Sequence, residues 1–202
     1  AGKTRKSQAN ENIDTWKINM NIAFNFIEFC GYCKPSQVIF ISTAGGIYDQ
    51  KENIYAKESH IPSNISKYGS QKLFVENLLR IFSKTQGFEL AILRLSSAYG
   101  YDPRDSDQGV INKWLKSANK KNKLQLYNSI DSIINFISFD QISQSITACI
   151  DLNINGLFNI GATDGTSLSE IINFIEDIYQ RKMELDVISN QPRYFNLDVD
   201  LF

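Results

Sequence analysis

Apolar residues recur along the chain with two spacings, which predict alternating helices and buried strands. A spacing of three to four residues indicates helices at 12–29, 68–85, 109–119, 140–152 and 166–179. Short apolar runs indicate strands at 38–41, 90–95, 124–127, 133–139, 157–160 and, as a possible last strand, 183–188. Ser63 or Asn64 is the expected N-cap of the second helix, which should stop at Gly87. Thr166 or Ser167 should cap the last helix.

This alternation with short connections predicts an α/β fold built on a doubly wound parallel sheet. In such a sheet, ligands bind beyond the carboxyl ends of the strands. Small residues follow the first two predicted strands, at Ser42–Gly46 and at Ser96–Gly100. Because the 68–85 helix should begin at the same edge, we expect three separate segments to converge on one ligand-binding rim.

Tyr68 and Lys72 are the strongest candidates for chemistry. They are four residues apart at the start of a predicted helix, so both side chains lie on one face, about 6 Å apart at Cβ. That face continues through Val75, Leu79 and Phe82, so we expect the lysine to lie in an otherwise apolar seam. A cation beside a half-buried phenol allows a tyrosine to act as a base near neutral pH. The alternative is a surface tyrosine over a lysine whose ammonium reaches solvent.

Composition and charge exclude several classes of function. The chain has 202 residues, 43% of them hydrophobic, which is enough for one sizeable core. Its net charge of −1 gives no electrostatic footprint for nucleic acid. No apolar stretch approaches the ~20 residues of a membrane span, so we expect none.

The cysteines are expected to be structural thiols in a reducing cytoplasm. There are three, an odd number that argues against a disulfide framework. Cys30 and Cys33 form a C-x-x-C pattern, but at the end of a predicted helix, where the helix dipole does not lower a thiol pKa. We expect no metal site, because a zinc ion would need further ligands and only Cys149 and His60 remain. His60 should lie in a solvent-exposed loop.

Seven stretches, in order, resemble the NAD-dependent epimerase/dehydratase family, the extended short-chain dehydrogenase/reductases. The chain is most similar to the branch related to UDP-glucose 4-epimerase. Each stretch is weak alone, but seven in the family's order are specific. They are Asn19–Asn21, Phe40–Tyr48, Tyr68–Lys72, Leu93–Gly100, Gln108–Ile111, Asn135–Asp140 and Phe158–Gly161.

The resemblance implies a partial Rossmann-type domain over 1–105, carrying the Tyr-x-x-x-Lys pair. It implies a small α/β portion over 106–202, mostly substrate-binding and interleaved with the Rossmann core. The implied activity is that of a cytoplasmic nucleotide-sugar epimerase using NAD rather than NADP, with a role in surface polysaccharide synthesis. Family members often form homodimers through a four-helix bundle, here from helices 12–29 and 66–85 of two copies.

The resemblance also implies roles for individual residues. Tyr68 would be the catalytic base and acid at the sugar C4 hydroxyl, and Lys72 would hold the nicotinamide ribose and lower the tyrosine pKa. Cofactor contacts would come from Asn19, Ser42, Thr43, Tyr68, Lys72, Leu95 and Ser96. Substrate contacts would come from Ser97, Gln108, Gly109 and Val110.

Several positions depart from the family pattern. The third catalytic residue is usually a hydroxyl at the position of Ala44 or Gly46, and neither residue carries one. Thr43 is the nearest replacement and our candidate. An arginine expected to clamp the substrate diphosphate aligns with Ile134, which cannot replace a bidentate donor. The neighbouring position, commonly aspartate, is Asn135.

The largest departure is that no glycine-rich, phosphate-binding strand-turn-helix occurs in the sequence. We therefore expect a truncated chain that lacks the first half of the Rossmann fold and, by itself, binds NAD weakly or not at all. A catalytically degenerate member, serving as a binding or scaffold module, is the alternative function. Within the enzyme class, a 4-keto reductase stays open, and a dehydratase is disfavoured because Gly45–Gly46 replaces the usual Asp-Glu pair.

Overall fold

The computed structural model describes residues 13–49, 54–63, 65–100 and 109–202. The helices in these ranges are α1 (Ile13–Cys33), α2 (Lys67–Gln86), α3 (Val110–Asn119), α4 (Phe139–Asp151) and α5 (Leu168–Tyr179). The strands are β1 (Gln37–Thr43), β2 (Tyr55–Ala56), β3 (Glu89–Leu95), β4 (Ser97–Tyr99), β5 (Leu124–Leu126), β6 (Ile133–Ile134), β7 (Phe136–Ser138), β8 (Gly156–Ile160), β9 (Thr166–Ser167), β10 (Leu185–Val187) and β11 (Tyr194–Leu197).

The main sheet is parallel, in the order β1-β3-β8, and helices cover both of its faces. Val38 and Phe40 of β1 pack with α1 and α2. Ile39 and Ile41, which alternate with them, pack on the opposite face with α4. The strands are therefore apolar on both sides, and the predicted doubly wound arrangement is confirmed.

A second core lies at the carboxyl end of the main sheet and mixes early and late parts of the chain. A mixed sheet in the order β2-β11-β6-β9 forms one wall of this region. Ala44, Ile47 and Tyr48, from the loop after β1, pack in the same core as Trp114 and Phe195. Early and late parts of the chain thus share this core. The predicted division into two portions, with its boundary near residue 105 outside the described residues, stays a prediction.

The strand predicted at 133–139 is wrong as a single element. It divides into β6 and β7 around Asn135, whose fully buried side chain bonds to Ala162. Phe139 is already helical, because Ser138 caps α4 with a complete capping box. The strand near 183–188 is present as β10, but it is not the last strand, since β11 follows. The two-residue strands β2 and β9 and the strand β11 carry no periodic signal long enough to be predicted.

The ends of α2 illustrate what local patterns can specify. Its C-terminus is as predicted, with Gly87 in the left-handed region at φ 79°. Its N-cap is Ser66 rather than Ser63 or Asn64, the latter outside the described residues. Ser66 is selected by tertiary contact, because its hydroxyl also bonds to the carbonyl of Gly46. For α5, Ser167 is the cap, one of the two predicted candidates.

The cysteines lie as expected in the helical pattern. Cys30 is buried in α1 and Cys33 is exposed at its end, and both are free, as is the buried Cys149. Burial, with a smaller contribution from Cys33, raises the pKa of the Cys30 thiol. His60 is exposed, and its Nδ1 accepts the backbone N–H of Lys57. Among the described residues, no helix has the length and apolar character needed to cross a membrane.

Candidate active site

The three strands of the main sheet end in register at one rim. Thr43 pairs with Leu95, and Leu95 pairs with Ile160. The ladder continues past the strands, as the N–H of Ala44 donates to Leu95 O at 2.8 Å and that of Ser96 donates to Ile160 O at 2.9 Å. Both small-residue motifs therefore lie side by side at the carboxyl edge, as predicted.

The start of α2 is joined to the same rim by two glycines. The N–H of Ser66 donates to Gly46 O at 3.0 Å, and Gly69 lies directly against that carbonyl. A Cβ on Gly69 would overlap the Gly46 backbone, and a Cβ on Gly46 would lie 2.9 Å from Ser66 Oγ. The third predicted segment thus converges with the other two, and the Gly46 position has no room for the family's hydroxyl side chain.

Tyr68 and Lys72 lie one turn apart at the start of α2, and both are half-buried. The ammonium of Lys72 is 5.8 Å from the centre of the Tyr68 ring and 4.8 Å from that of Phe40. It donates to the carbonyl of Ile41 at 2.7 Å. Burial lowers the pKa of Lys72, and the nearby charge of Glu76 partly opposes that shift. A cation is thereby held beside the phenol at the rim.

The inward face of α2 is not the apolar seam that the sequence suggested. Leu79 is fully buried there, but so are Gln71 and Glu76, which are only 4% and 1% exposed. Glu76 follows Lys72 by four residues and therefore continues the face that begins at Tyr68. That spacing was a signal available in the sequence, but it acquires meaning only from the partners of Glu76.

Those partners form a polar row across the main sheet. Ser42, Arg94 and Asn159 occupy one register line on β1, β3 and β8, immediately before the strands end. They are 4%, 4% and 0% exposed. We call these three residues, with the bridging Glu76 and Tyr48, the polar row.

Glu76 binds the first two members of the polar row. Its Oε1 accepts from Ser42 Oγ at 2.5 Å and from Arg94 Nε at 3.1 Å, and its Oε2 accepts from Arg94 at 2.7 Å. This is a bidentate, buried ion pair. Although burial opposes the charged guanidinium, its hydrogen bonds and the charge of Glu76 together raise the pKa of Arg94.

Tyr48 continues the polar row to its far end. Arg94 donates to the Tyr48 hydroxyl at 2.7 Å, and that hydroxyl donates to Asn159 Oδ1 at 3.1 Å. Burial raises the pKa of Tyr48, against the opposing effect of Arg94. Asn159 Nδ2 then donates to the carbonyls of Ala56 at 2.8 Å and Asp198 at 3.2 Å. The polar row therefore runs from α2 to the mixed sheet.

Among the predicted cofactor contacts, Asn19 and Ser42 have protein partners. Asn19 Nδ2 donates to Gln71 Oε1 at 2.7 Å, and the Ser42 hydroxyl is bound by Glu76. Thr43 faces away from Ser42, because adjacent strand residues alternate. In the described part of the chain, the buried Ser96 hydroxyl has no hydrogen-bond partner. The roles of these residues toward a cofactor stay predictions.

Of the predicted substrate contacts, Gly109 lies against β4, the strand that begins at Ser97. Ser97 opens β4, and Gly109, at φ 80°, precedes α3 and lies against Ala98 O of the same strand. Val110 is the first residue of α3, and Gln108 lies outside the described residues. Their contact with a substrate stays a prediction.

The departure at Ile134 has a structural explanation. Ile134 is 4% exposed within the second core and pairs with Phe195 of β11. Next to it, Asn135 both donates to Ala162 O at 2.7 Å and accepts from the Ala162 N–H at 3.0 Å. An ionised aspartate could not donate to that carbonyl, so the amide fits this junction.

Arg193 places a cation at the rim that the sequence did not reveal. It precedes β11, and its guanidinium stacks over Phe195 at 5.9 Å. A Cβ on Gly45 would lie 3.6 Å from an Arg193 nitrogen. The arginine therefore reaches the loop that follows β1. No local pattern marks it, since its proximity to Gly45 depends on the pairing of β11 with β6.

In the ranges that the structure covers, no group of three or more His, Cys, Asp or Glu side chains is arranged to hold a metal ion. The rim instead offers a phenol, an ammonium, a guanidinium and hydroxyl groups. This set suits proton transfer and the binding of anionic or hydroxyl-rich ligands.

Comparison with known proteins gives two relatives with similar names. A provisionally assigned UDP-glucose 4-epimerase of Methanocaldococcus jannaschii is 24% identical over 178 residues, covering 87% of this chain and 57% of the relative. The uncharacterized UDP-glucose epimerase YtcB of Bacillus subtilis is 25% identical, covering 86% of this chain and 55% of the relative. The chain thus spans little more than half the length of these relatives.

Solved structures and a family model complete the comparison. UDP-glucose 4-epimerase of Thermotoga maritima, solved with UDP-glucose, superposes with a TM-score of 0.87 at 21% identity, over 100% of this chain and 67% of that chain. This likeness confirms the Rossmann-type α/β fold. The model of the NAD dependent epimerase/dehydratase family matches residues 1–161. Since that match covers most of the chain, including the rim with Tyr68 and Lys72, the chain belongs to the NAD-dependent epimerase/dehydratase family.

Proposed function

We propose that this chain carries the catalytic face of an NAD-dependent nucleotide-sugar 4-epimerase. The observation that carries the proposal is the position of Tyr68 and Lys72, one turn apart at the carboxyl rim of the parallel sheet. Ligands bind at this rim in doubly wound sheets. The two sequence relatives are named as UDP-glucose epimerases, and those names point to the same substrate class.

The reaction requires a base at the sugar C4 hydroxyl. Tyr68 Oη accepts that proton during oxidation and returns it during reduction, and the Lys72 ammonium stabilises the phenolate that does so. NAD, when bound, would supply the hydride acceptor and donor for this oxidation and reduction at C4. Thr43 is the proposed third residue because it is the hydroxyl nearest to Ala44 and Gly46 in the sequence, although strand alternation places it on the face of β1 opposite Ser42, which bonds to α2.

The residues of the rim fit a nicotinamide ribose. Lys72 has three N–H donors. In the described part of the chain, one of them donates a hydrogen bond, to Ile41 O. The buried, unpartnered hydroxyl of Ser96 lies at the end of β3, where a polar ligand would satisfy it. Lys72 and Ser96 would hold the cofactor, together with Asn19 and Leu95, which are also among the predicted cofactor contacts.

Arg193 supplies the cation that the substrate diphosphate needs. The family's arginine position is Ile134, which is committed to the core. Arg193 approaches the rim from the neighbouring strand and lies against Gly45. A guanidinium is the side chain best matched to phosphate oxygens. Specificity for a nucleotide-sugar over a free sugar is therefore proposed to depend on Arg193, together with the predicted contacts at 97 and 108–110.

The second candidate function is a binding module without turnover. It is favoured by Ala44 and Gly46, which provide no hydroxyl group at the usual catalytic position. In that case the rim would bind a nucleotide-sugar without converting it. A 4-keto reductase would use the same Tyr68 and Lys72, but it would consume a reduced nicotinamide cofactor and a 4-keto sugar, so net cofactor consumption separates it from an epimerase.

The test is an assay of the full-length gene product with NAD and a panel of nucleotide-sugars, following the C4 epimers by NMR. Tyr68→Phe should lower turnover by a factor of about 10² to 10⁴, because it removes only the proton-accepting oxygen. Tyr127→Phe, at an exposed tyrosine just after β5, is the matched control. Normal turnover in Tyr68→Phe would contradict the mechanism, and binding without turnover in the parent would establish the second candidate.

We also infer a homodimer, working in the cytoplasm. The outer face of α1 carries an apolar stripe at helical spacing, formed by Ile18, Ile22, Phe26 and Phe29, which are 41%, 39%, 42% and 59% exposed. On α2, Phe74 and Ile81 are similarly exposed. Pairing α1 and α2 with the same helices of a second copy would bury this surface as a four-helix bundle. The cytoplasm fits three free cysteines.

A further inference from the structure

The two ends of the polar row meet different parts of the molecule. At one end, Lys72 and Glu76 of α2 bind adjacent residues of β1: Lys72 donates to Ile41 O at 2.7 Å and Glu76 accepts from Ser42 at 2.5 Å. These two contacts fix the catalytic helix on the strand. The position of the Lys72 ammonium therefore depends on where the polar row holds β1.

At the other end, the polar row is bound to the mixed sheet. Asn159 donates to the carbonyls of Ala56, in β2, and Asp198, immediately after β11. Its own N–H donates to Glu58 Oε1 at 2.6 Å. The mixed sheet also contains Ile134, and Arg193 directly precedes its strand β11. This sheet therefore forms the proposed substrate side of the rim.

Burying the polar row is an energetically unfavourable way to stabilise a fold. Its members are at most 4% exposed, and burying an ion pair is often no more stabilising than burying apolar residues of similar volume. A fully satisfied buried network does, however, specify one geometry, because each group has few alternative partners. Its benefit therefore lies in relative position more than in stability.

We propose that the polar row positions the catalytic helix relative to the substrate side of the rim, with Tyr48 as the positioning residue at its centre. Tyr48 is 1% exposed, and its hydroxyl is the link between Arg94 and Asn159 in the described part of the chain. Removing that oxygen divides the polar row into two halves. The Glu76–Arg94 pair and the Lys72–Ile41 bond remain on one side, and the contacts of Asn159 remain on the other.

This coupling between the mixed sheet and the catalytic helix does not depend on the proposed function. Only its effect on turnover does. Its direct readout is the ¹³Cε resonance of Lys72 in lysine-labelled full-length protein, assigned with Lys72→Arg and recorded without substrate. Tyr48→Phe should shift this resonance, although the lost hydroxyl bonds to Arg94 and Asn159 and not to Lys72. The reason is that the side-chain connection from Asn159 to Arg94 and Glu76 is broken, while the backbone ladder of the main sheet remains. Tyr179→Phe is the control, since its hydroxyl also donates a hydrogen bond, to Leu115 O at 3.2 Å, away from the polar row.

A purely structural role predicts a different pattern. If Tyr48→Phe lowers the melting temperature as Tyr179→Phe does, but leaves the Lys72 resonance in place, the proposal is wrong. Should Tyr48→Phe fail to fold, Ser42→Ala removes the bond between β1 and Glu76 at the other end of the polar row, while Glu76 stays bound to Arg94. It should then shift the backbone resonances of Ala56 and Asp198, and unchanged resonances there would overturn the proposal.

Kinetics separate this proposal from the assignment of function. If the parent turns over a nucleotide-sugar, Tyr48→Phe should lower kcat about tenfold and change KM less than about twofold, because misplacement of catalytic groups affects the transition state most. An unchanged kcat contradicts the positioning role. A parent without turnover would contradict the proposed function alone, and the Lys72 resonance would still decide the coupling.

Discussion

At the scale of single residues, the rim depends on two glycines as much as on its polar side chains. Gly69 and Gly46 lie so close that the start of α2 touches the loop after β1 backbone to backbone. This contact brings Tyr68, the residue before Gly69, to the rim. Glycine is required here for close approach, not for an unusual backbone angle.

Gly69→Ala should destabilise the fold by about 1–3 kcal/mol, since the new Cβ would overlap a backbone carbonyl that cannot move freely. Gly31→Ala is the matched control, because it is also a helical glycine but has only ordinary contacts, the nearest at 3.5 Å. That variant should be neutral or stabilising by up to about 1 kcal/mol, from helix propensity. Urea denaturation measures both, and equal stabilities for the two variants would contradict the contact.

Arg193 is the residue whose role can be separated most cleanly by ligand chemistry. Arg193→Met should weaken UDP binding about tenfold, through loss of a charge-assisted contact, and leave uridine binding unchanged. Calorimetry with the two ligands measures the difference. Arg181→Met, which removes a guanidinium bound to Ala118 O, is the control. An equal loss for UDP and uridine would show that Arg193 supports the fold and not the diphosphate.

At the scale of elements, short-range signals account for the starts of α4 and α5, each of which has a complete capping box. The Ser138 hydroxyl accepts the N–H of Gln141, and the Gln141 side chain accepts the N–H of Ser138, which closes the first turn of α4. The same cap ends β7, so it separates a strand from a helix within a largely apolar stretch. The periodic pattern across 133–139 could not show this division.

Ser138→Ala should cost about 1 kcal/mol of unfolding free energy, because the first turn of α4 loses its side-chain acceptor. Ser143→Ala, at an exposed interior position of the same helix, is the control and should be neutral or slightly stabilising. Thermal denaturation of the two variants gives the comparison. A loss in Ser143→Ala as large as in Ser138→Ala would assign the effect to the helix interior.

At the scale of the whole molecule, the proposed dimer rests on the exposed face of α1. Four large apolar side chains at helical spacing exceed what an isolated surface helix usually exposes. They lie on the α1–α2 side of the main sheet, away from the rim. A dimer formed there would leave both proposed active sites open.

Phe26→Glu should convert the dimer to a monomer, because it places a charge in the apolar stripe. Sedimentation equilibrium measures the mass, and circular dichroism checks that the fold is retained. Phe174→Glu, on α5 and 62% exposed, is the matched control and should not change the mass. A parent that sediments as a monomer at micromolar concentration would contradict the dimer.

The sequence by itself determined the features that depend on neighbours within a few residues. Helical spacing placed Tyr68 beside Lys72, and buried runs placed β1, β3 and β8 in a parallel sheet whose ends form a rim. These follow because helix and strand periods fix which side chains share a face. The resemblance to the family was visible in the sequence for the same reason, because it lies in short stretches that follow one another in the family's order.

Only the tertiary structure decided which distant residues meet. The polar row joins Ser42, Arg94 and Asn159 through strand register, and no spacing along the chain reports that alignment. The same holds for Ser66 as the cap of α2, chosen by its bond to Gly46, and for Arg193 against Gly45. Ile134 is likewise a core residue because β6 pairs with β11. Long-range pairing sets these contacts, and local periodicity carries no record of it.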